Sequence, residues 1–326
     1  MDVLTHVPHV FGRRFLPKSV DFSSWTEIKP FFIELEGRKL DTKADLESWT
    51  ADRGELMDVI NEEGSLRYIR MTCDTENKEL EKAYFQFLEE ISENVKAADD
   101  RLKRQFLKSP ARAQLDRDRF FIMDRSFQND VDLFREENIP LETEESKLSQ
   151  SYQKIMGSLT VEFEGKEQTL QQMGRYQEYP DRGLREAAWK AVVERRLQEA
   201  EKLERVFDEL RSVREKISAN AGFMSYRDFA FKQRERFDYN VDDCLRFHEG
   251  VESAVVPLAK RMDELRARDL GVPRLRPWDL SVDPLNRPPL KPFTEANELV
   301  EGCLKIAGRV DARFGDSFAP CVTRSY

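Results

Sequence analysis

The feature that most limits the fold is a run of apolar residues spaced three and four apart over residues 77–108. The apolar positions are Leu80, Tyr84, Phe87, Leu88, Ile91 and Val95. Residues at this spacing share one face of an α-helix, so the run predicts a long helix with a single buried face. Comparable stripes predict helices over 41–62, 241–268 and 294–314. The chain is therefore predicted to be mainly α-helical.

Glycine and proline indicate where the helices should stop. Gly64 is expected to end the helix that precedes it, and Pro140 to separate the helices on either side of it. Pro257 is expected to kink the helix in which it lies. Neither residue type interrupts 184–221, which predicts one helix far longer than average. Segment 66–73 fits either a short strand or the start of a helix.

One short segment has the period of a β-strand instead. Residues 159–163 alternate between apolar and polar side chains, Glu164 and Gly165 form a turn signal, and 166–170 can return as a partner strand. The predicted fold class is therefore mainly α, with one small antiparallel β-hairpin near 159–170.

Composition excludes several classes of protein. Hydrophobic residues make up 40% of the 326 residues, enough for a folded core, and the net charge of −9 with scattered basic residues argues against nucleic-acid binding. Four widely spaced cysteines without a C-x-x-C pair suggest reduced thiols in the cytoplasm. Residues 1–15 lack the apolar core of a secretory signal, and no segment is apolar enough to span a membrane.

Histidine is scarce, and this limits metal chemistry. Of the three histidines, only His248 is followed by glutamate, as in the H-E-x-x-H helix of zinc peptidases. The fifth position is Glu252, so the motif lacks its second histidine, and a surface histidine is the favoured interpretation. Cys244 lies one helical turn from His248, but this pair alone is weak support for catalysis. His6 and His9 flank a proline and are interpreted as part of a tail.

Aromatic and basic residues alternate in one later segment, which offers two interpretations. They could form a platform on which bases stack, or they could be core phenylalanines between solvated arginines. The acidic net charge and the helical spacing favour the second interpretation. The residues concerned are Phe229, Phe231, Phe237 and Tyr239 with Arg227, Arg234 and Arg236.

Several short segments, taken in order, carry a resemblance to a known family. They are TVEFEGKEQTL at 160–170, Asp181 with REAAW at 185–189, REKISANAGF at 214–223, SYRD at 225–228, RFDY at 236–239, Leu270-Gly271 and PWDL at 277–280. Their sequence and order resemble oligoendopeptidase F-like and thimet oligopeptidase-like zinc metallopeptidases. The segment at 160–170 is similar to the hairpin of that family, 181–189 to the start of the next helix, and 214–228 to the end of a long helix.

The resemblance implies a mostly helical fold with a deep channel between two lobes. It implies hydrolysis of oligopeptide substrates by one zinc ion, held by an H-E-x-x-H helix and a later glutamate. It places those ligands after the segment similar to 322–326, so no catalytic, cofactor-binding or metal-binding residue is carried onto this chain. Residues 1–195 then correspond to the N-terminal helical lobe, and 196–326 to the incomplete start of the catalytic domain.

The chain is accordingly expected to be a fragment that binds no zinc and is inactive alone, although the complete protein would use zinc. Apolar residues of the last predicted helix, such as Leu299, Leu304 and Ile306, should be poorly covered. The alternative hypothesis is a non-enzymatic helical scaffold or protein-interaction module.

Overall fold

The computed structural model describes residues 13–288 and 290–323. Within this part, the chain forms two compact units, and each is built from segments that are not contiguous in sequence. The larger unit comprises residues 13–159 and 196–257, and the smaller unit comprises 160–195 and 258–323. The lobe boundary predicted after residue 195 stays a prediction.

Helices account for nearly all of the larger unit. The helices are α1 Trp25–Glu36, α2 Lys43–Cys73, α3 Lys78–Gln86, α4 Glu93–Lys108, α5 Arg117–Leu133, α6 Asn138–Gly157, α9 Ala200–Asn220, α10 Tyr226–Gln233 and α11 Val241–Gly250. The core of this unit lies where α1, α2 and α4 pack together, and the indole Nε1 of Trp49 donates to the carbonyl of Leu35 at 3.1 Å inside that core.

The smaller unit contains the only strands among the described residues. β1 Thr160–Phe163 pairs antiparallel with β2 Lys166–Thr169, so the predicted hairpin and the mainly α fold class are confirmed. Glu164 and Gly165 both have positive φ, as a tight two-residue hairpin turn requires. The helices are α7 Leu170–Met173, α8 Arg182–Leu197, α12 Val256–Asp269, α13 Ala296–Val310 and α14 Ala312–Thr323. The last two residues of α8 and the first two residues of α12 belong to the larger unit.

The prediction that Gly64 ends a helix is wrong. α2 continues through Gly64 to Cys73, which also shows that segment 66–73 is helical. A Cβ atom at Gly64 would lie 2.8 Å from the Phe87 ring. Glycine at this position therefore permits the close approach of a buried phenylalanine, and tertiary packing outweighs the low helix propensity of glycine.

The predicted single helix over 184–221 is also wrong, because α8 ends at Leu197 and α9 begins at Ala200. The break contains neither glycine nor proline. It lies where the chain passes from the smaller to the larger unit. Gly222, by contrast, ends α9 with φ of 85°, and the Phe223 amide donates to the Ser218 carbonyl as in a Schellman motif.

Pro140 and Pro257 are predicted to separate and to kink helices, and their positions in the structure differ. Pro140 does not separate two helices, because α6 starts at Asn138 and places Pro140 in its first turn, where an amide donor is not needed. Pro257 is the second residue of α12, which follows a π-helical turn, Val251–Val255, that interrupts the α-helical pattern between α11 and α12. A similar π turn, Phe87–Ser92, joins α3 to α4 within the predicted helix over 77–108.

The last predicted helix divides into α13 and α14, with Asp311 in an extended conformation between them. The residue that caps α13 is Glu295, one position after the predicted start of this helix. Leu299 and Ile306 are 42% and 63% exposed, as predicted, whereas Leu304 is half-buried. None of the helices in the described chain has the length and apolar character that crossing a bilayer demands.

Candidate functional site

His248 lies in the last turn of α11, where its side chain and that of Glu249 are exposed. Glu252 belongs to the π turn that follows, so the regular i to i+4 alignment of an H-E-x-x-H helix is lost as well as the second histidine. Among the described residues, no group of three or more histidine, cysteine or acidic side chains is arranged to hold a metal ion. A catalytic zinc needs three protein ligands, so it does not fit the residues around His248.

The hypothesis that pairs Cys244 with His248 gains no support from the structure. Cys244 is half-buried on α11, and no hydrogen bond joins its thiol to His248, although both residues are described. His6 and His9 lie outside the described residues.

Arginines cover the faces of several rings in the aromatic segment near α10. Arg236 lies 5.1 Å from the Phe231 ring centre, and Arg125 lies 4.3 Å from that of Phe237. Phe229 is buried in a cluster with Ile217. These contacts are typical of cation–π packing at the edge of a core, and the predicted absence of nucleic-acid binding stays a prediction.

A buried ionic cluster in the smaller unit had no signal in the sequence. The Asp279 carboxylate is fully buried and accepts hydrogen bonds from Arg182 at 2.9 Å, from Arg185 at 3.1 Å and from the Arg276 amide at 2.9 Å. The hydrogen bond from Arg182 is the largest cause that lowers the pKa of Asp279 to about 2. Arg185 is itself buried and also donates to the Trp278 carbonyl at 2.7 Å. The cluster joins α8 to the 277–282 segment and has a structural role.

The larger unit contains a cavity of about 1010 Å³, bounded by α2, the α3–α4 region, α5 and α6. Tyr84 and Lys103 both line it and are 19 positions apart on one nearly continuous helix, so the cavity extends over roughly 28 Å. Its apolar lining includes Met57, Ile60, Phe87, Val95, Leu133 and Ile139. This volume is at the upper end of the range for small-molecule sites.

Charged residues occupy the α4 end of this cavity. Lys103 forms ion pairs with Asp99 at 2.8 Å and with Asp130 at 2.7 Å. Burial by itself would lower the pKa of Lys103, but the charge of Asp99 and the hydrogen bonds that Lys103 donates to both aspartates raise it. Arg53 binds the Asp99 carboxylate from α2. These pairs make one end of the cavity polar while most of its wall is apolar.

Two family models match the chain, one for the peptidase M3 N-terminal domain over residues 20–134 and one for peptidase family M3 over residues 175–315. Together they cover most of the chain. The chain belongs to peptidase family M3. This confirms the family resemblance, and the segments at 214–223 and 236–239 that carry it lie within the second matched range. No curated protein matches the sequence.

Several solved structures share the fold. The chain superposes on an oligoendopeptidase F with a TM-score of 0.86 and 24% identity, covering 96% of this chain and 55% of that one. For an oligoendopeptidase F from Bacillus anthracis the TM-score is 0.85 with 22% identity, covering 94% and 56%. For PZ peptidase A with an inhibitor the values are 0.86 and 24%, covering 95% and 55%. The chain thus spans about half the length of these solved structures.

Proposed function

We propose that this chain is the N-terminal portion of a zinc-dependent oligoendopeptidase, and that the 326 residues do not hydrolyse peptides by themselves. Membership of peptidase family M3 supports the peptidase assignment. The observation that carries the second part is in the sequence itself. The one His-Glu pair, His248-Glu249, continues to Glu252 where the zinc motif has histidine.

The complete protein would use zinc to polarise the peptide carbonyl and to activate water. No residue of this chain is assigned to that chemistry. We infer instead that the chain supplies helices that shape a peptide-binding wall, with oligopeptides as substrates of the complete protein. The domain assignment follows the same proposal: 1–195 as the N-terminal lobe and 196–326 as the incomplete start of the catalytic domain.

The experiment is to purify the 326-residue chain, dialyse it against zinc and assay it with a short quenched fluorescent peptide. We expect less than one bound zinc per chain by atomic absorption, and no hydrolysis that a chelator abolishes. The matched control is His248→Ala, which should behave like the unmodified chain. The proposal would be refuted if the chain retained one zinc ion and hydrolysed the peptide, and if this hydrolysis were stopped by the chelator and absent in His248→Ala.

A second candidate, a non-enzymatic helical scaffold, is favoured by the exposed apolar residues of α12–α14. Leu258, Met262, Ile306 and Val310 are between 58% and 70% exposed, although such residues are usually covered. Both candidates need a surface that packs against more protein. The gene distinguishes them: a reading frame that continues into H-E-x-x-H supports the peptidase, and a stop codon directly after Tyr326 supports the scaffold.

We further propose that the protein works in the cytoplasm. The described cysteines Cys73, Cys244 and Cys303 are free thiols, which suits a reducing compartment. Localisation of a tagged protein in its native host would test this, and recovery from an extracytoplasmic fraction would contradict it.

A further inference from the structure

One carboxylate oxygen in the cavity of the larger unit has no hydrogen-bond partner. Asp100 lines this cavity and is 8% exposed. Arg104 binds one of its oxygens, Oδ2, at 2.7 Å, whereas Oδ1 is buried and accepts no hydrogen bond from any described group. A buried acceptor without a donor is unfavourable, and the cost is larger for a charged group. A donor supplied from the cavity would remove that cost.

The neighbouring cations are already engaged. Lys96 lies one helical turn from Asp100 and is ion-paired with Glu142 at 2.6 Å, while Lys103 is shared between Asp99 and Asp130. Both lysines of α4 that line the cavity therefore already have a carboxylate partner.

Arg135, the remaining cation of the lining, is also occupied. It donates to backbone carbonyls, among them those of Phe134 at 2.7 Å and Asn220 at 3.1 Å. An anionic ligand would therefore find no free cation among the described lining residues. A cationic ligand would find a buried carboxylate oxygen without a donor.

We propose that this cavity binds a ligand with a primary ammonium group on an apolar body, with Asp100 as the acceptor of the ammonium N–H. The ammonium group would donate to Oδ1, and the apolar body would contact the side chains that make up most of the cavity wall. Such a group can come from a free amine or from a lysine side chain of a polypeptide. The inference does not rest on the proposed peptidase function, because the site lies within the larger unit and needs no zinc.

The test compares phenethylamine with 2-phenylethanol, which has the same apolar body but no charge. Calorimetry or ligand-observed NMR on the zinc-free 326-residue chain gives both dissociation constants at neutral pH. We expect the amine to bind about tenfold more tightly than the alcohol. Equal affinities, or no binding of either probe at about 10 mM, would overturn the proposal, and neither result depends on a variant that has to fold.

Asp100→Asn keeps the size of the side chain and removes its charge. In this variant the dissociation constants of the amine and the alcohol should lie within about twofold of each other, and that of the alcohol should be unchanged. The matched control is Asp132→Asn on α5, which removes the same charge from an exposed carboxylate that does not line the cavity. It should keep the selectivity of the unmodified chain. Selectivity that survives Asp100→Asn, or disappears in both variants, would contradict the assignment.

A second comparison identifies the source of the ammonium group. Nα-acetyl-lysine methylamide and its norleucine counterpart present the same backbone with and without the charge. If the lysine compound binds at least as tightly as phenethylamine and the norleucine compound does not bind, the site is assigned to a lysine side chain of a polypeptide. Weaker binding than phenethylamine assigns it to a free amine, and both results retain Asp100 as the acceptor.

Discussion

We expect the substitution Asp279→Asn to lower the free energy of unfolding of the smaller unit by about 3–5 kcal/mol, the usual cost of removing one partner from a buried ion pair. Asp279 has no exposed surface, and Arg185 is only 3% exposed. The substitution leaves the Arg185 guanidinium buried without a counter-charge. Arg182 is affected less, because its side chain is 42% exposed and can be solvated.

The same carboxylate makes a pH-dependent contribution. The pKa of Asp279 is lowered from 3.8 to about 2 in the folded protein, a difference worth about 2 kcal/mol. Because the folded pKa lies below the unfolded value, this stability is complete above about pH 4 and is lost as the pH falls through about 2. The asparagine variant should lack this part of the acid dependence.

The assay should report each unit separately, and the tryptophans allow this. Trp189 and Trp278 are in the smaller unit, with ring centres 5.4 Å apart, whereas Trp25 and Trp49 are in the larger unit. Urea titration followed by ¹⁹F NMR of 5-fluorotryptophan, at neutral pH and near pH 3, resolves both transitions.

The matched control is Asp283→Asn, which removes a carboxylate from the same segment. Asp283 pairs with Arg287, whose side chain is 70% exposed, so the loss should be below about 1 kcal/mol. A loss below about 1 kcal/mol for Asp279→Asn as well, or an unchanged acid dependence, would refute the reasoning.

Two further predictions concern packing, and both are checked by urea unfolding at neutral pH. Gly64→Ala should lower the free energy of unfolding by about 1 kcal/mol, because the new Cβ would meet the Phe87 ring. Gly54→Ala should raise it by up to about 1 kcal/mol, because a Cβ at Gly54 has nothing within 4 Å. Changes of the same sign in the two variants would contradict this prediction. Met71→Ala should lower the free energy of unfolding by about 2–5 kcal/mol, because Met71 is only 2% exposed. Met262→Ala should lower it by less than about 0.5 kcal/mol, because Met262 is 62% exposed. Equal losses would show that the Met262 side chain on α12 is buried.

Much of the fold could be predicted because apolar spacing directly reports which helix face is buried. Ile91 and Val95 are buried as their spacing indicates, and the alternation at 159–163 correctly located a strand. The prediction failed where distant packing decides local structure. Gly64 stays helical because Phe87 approaches it, and the break after Leu197 has no local marker at all.

The candidate sites show the same limit. The missing ligand of the motif at His248 is visible in the sequence, and the absence of a zinc site there stays a prediction. The sequence could not reveal Asp100, since an unpartnered oxygen is defined by burial and by the position of Arg104. Nor could it pair Asp279 with Arg185, which lies 94 positions away.

That separation affects the order in which the protein can form during synthesis. Arg185 emerges from the ribosome 94 residues before Asp279. At ordinary elongation rates this delay is about 5 to 20 seconds. During that time α8 carries a guanidinium that cannot yet be buried against its counter-charge, so the smaller unit must be completed late, after the nascent chain has delivered the intervening helices.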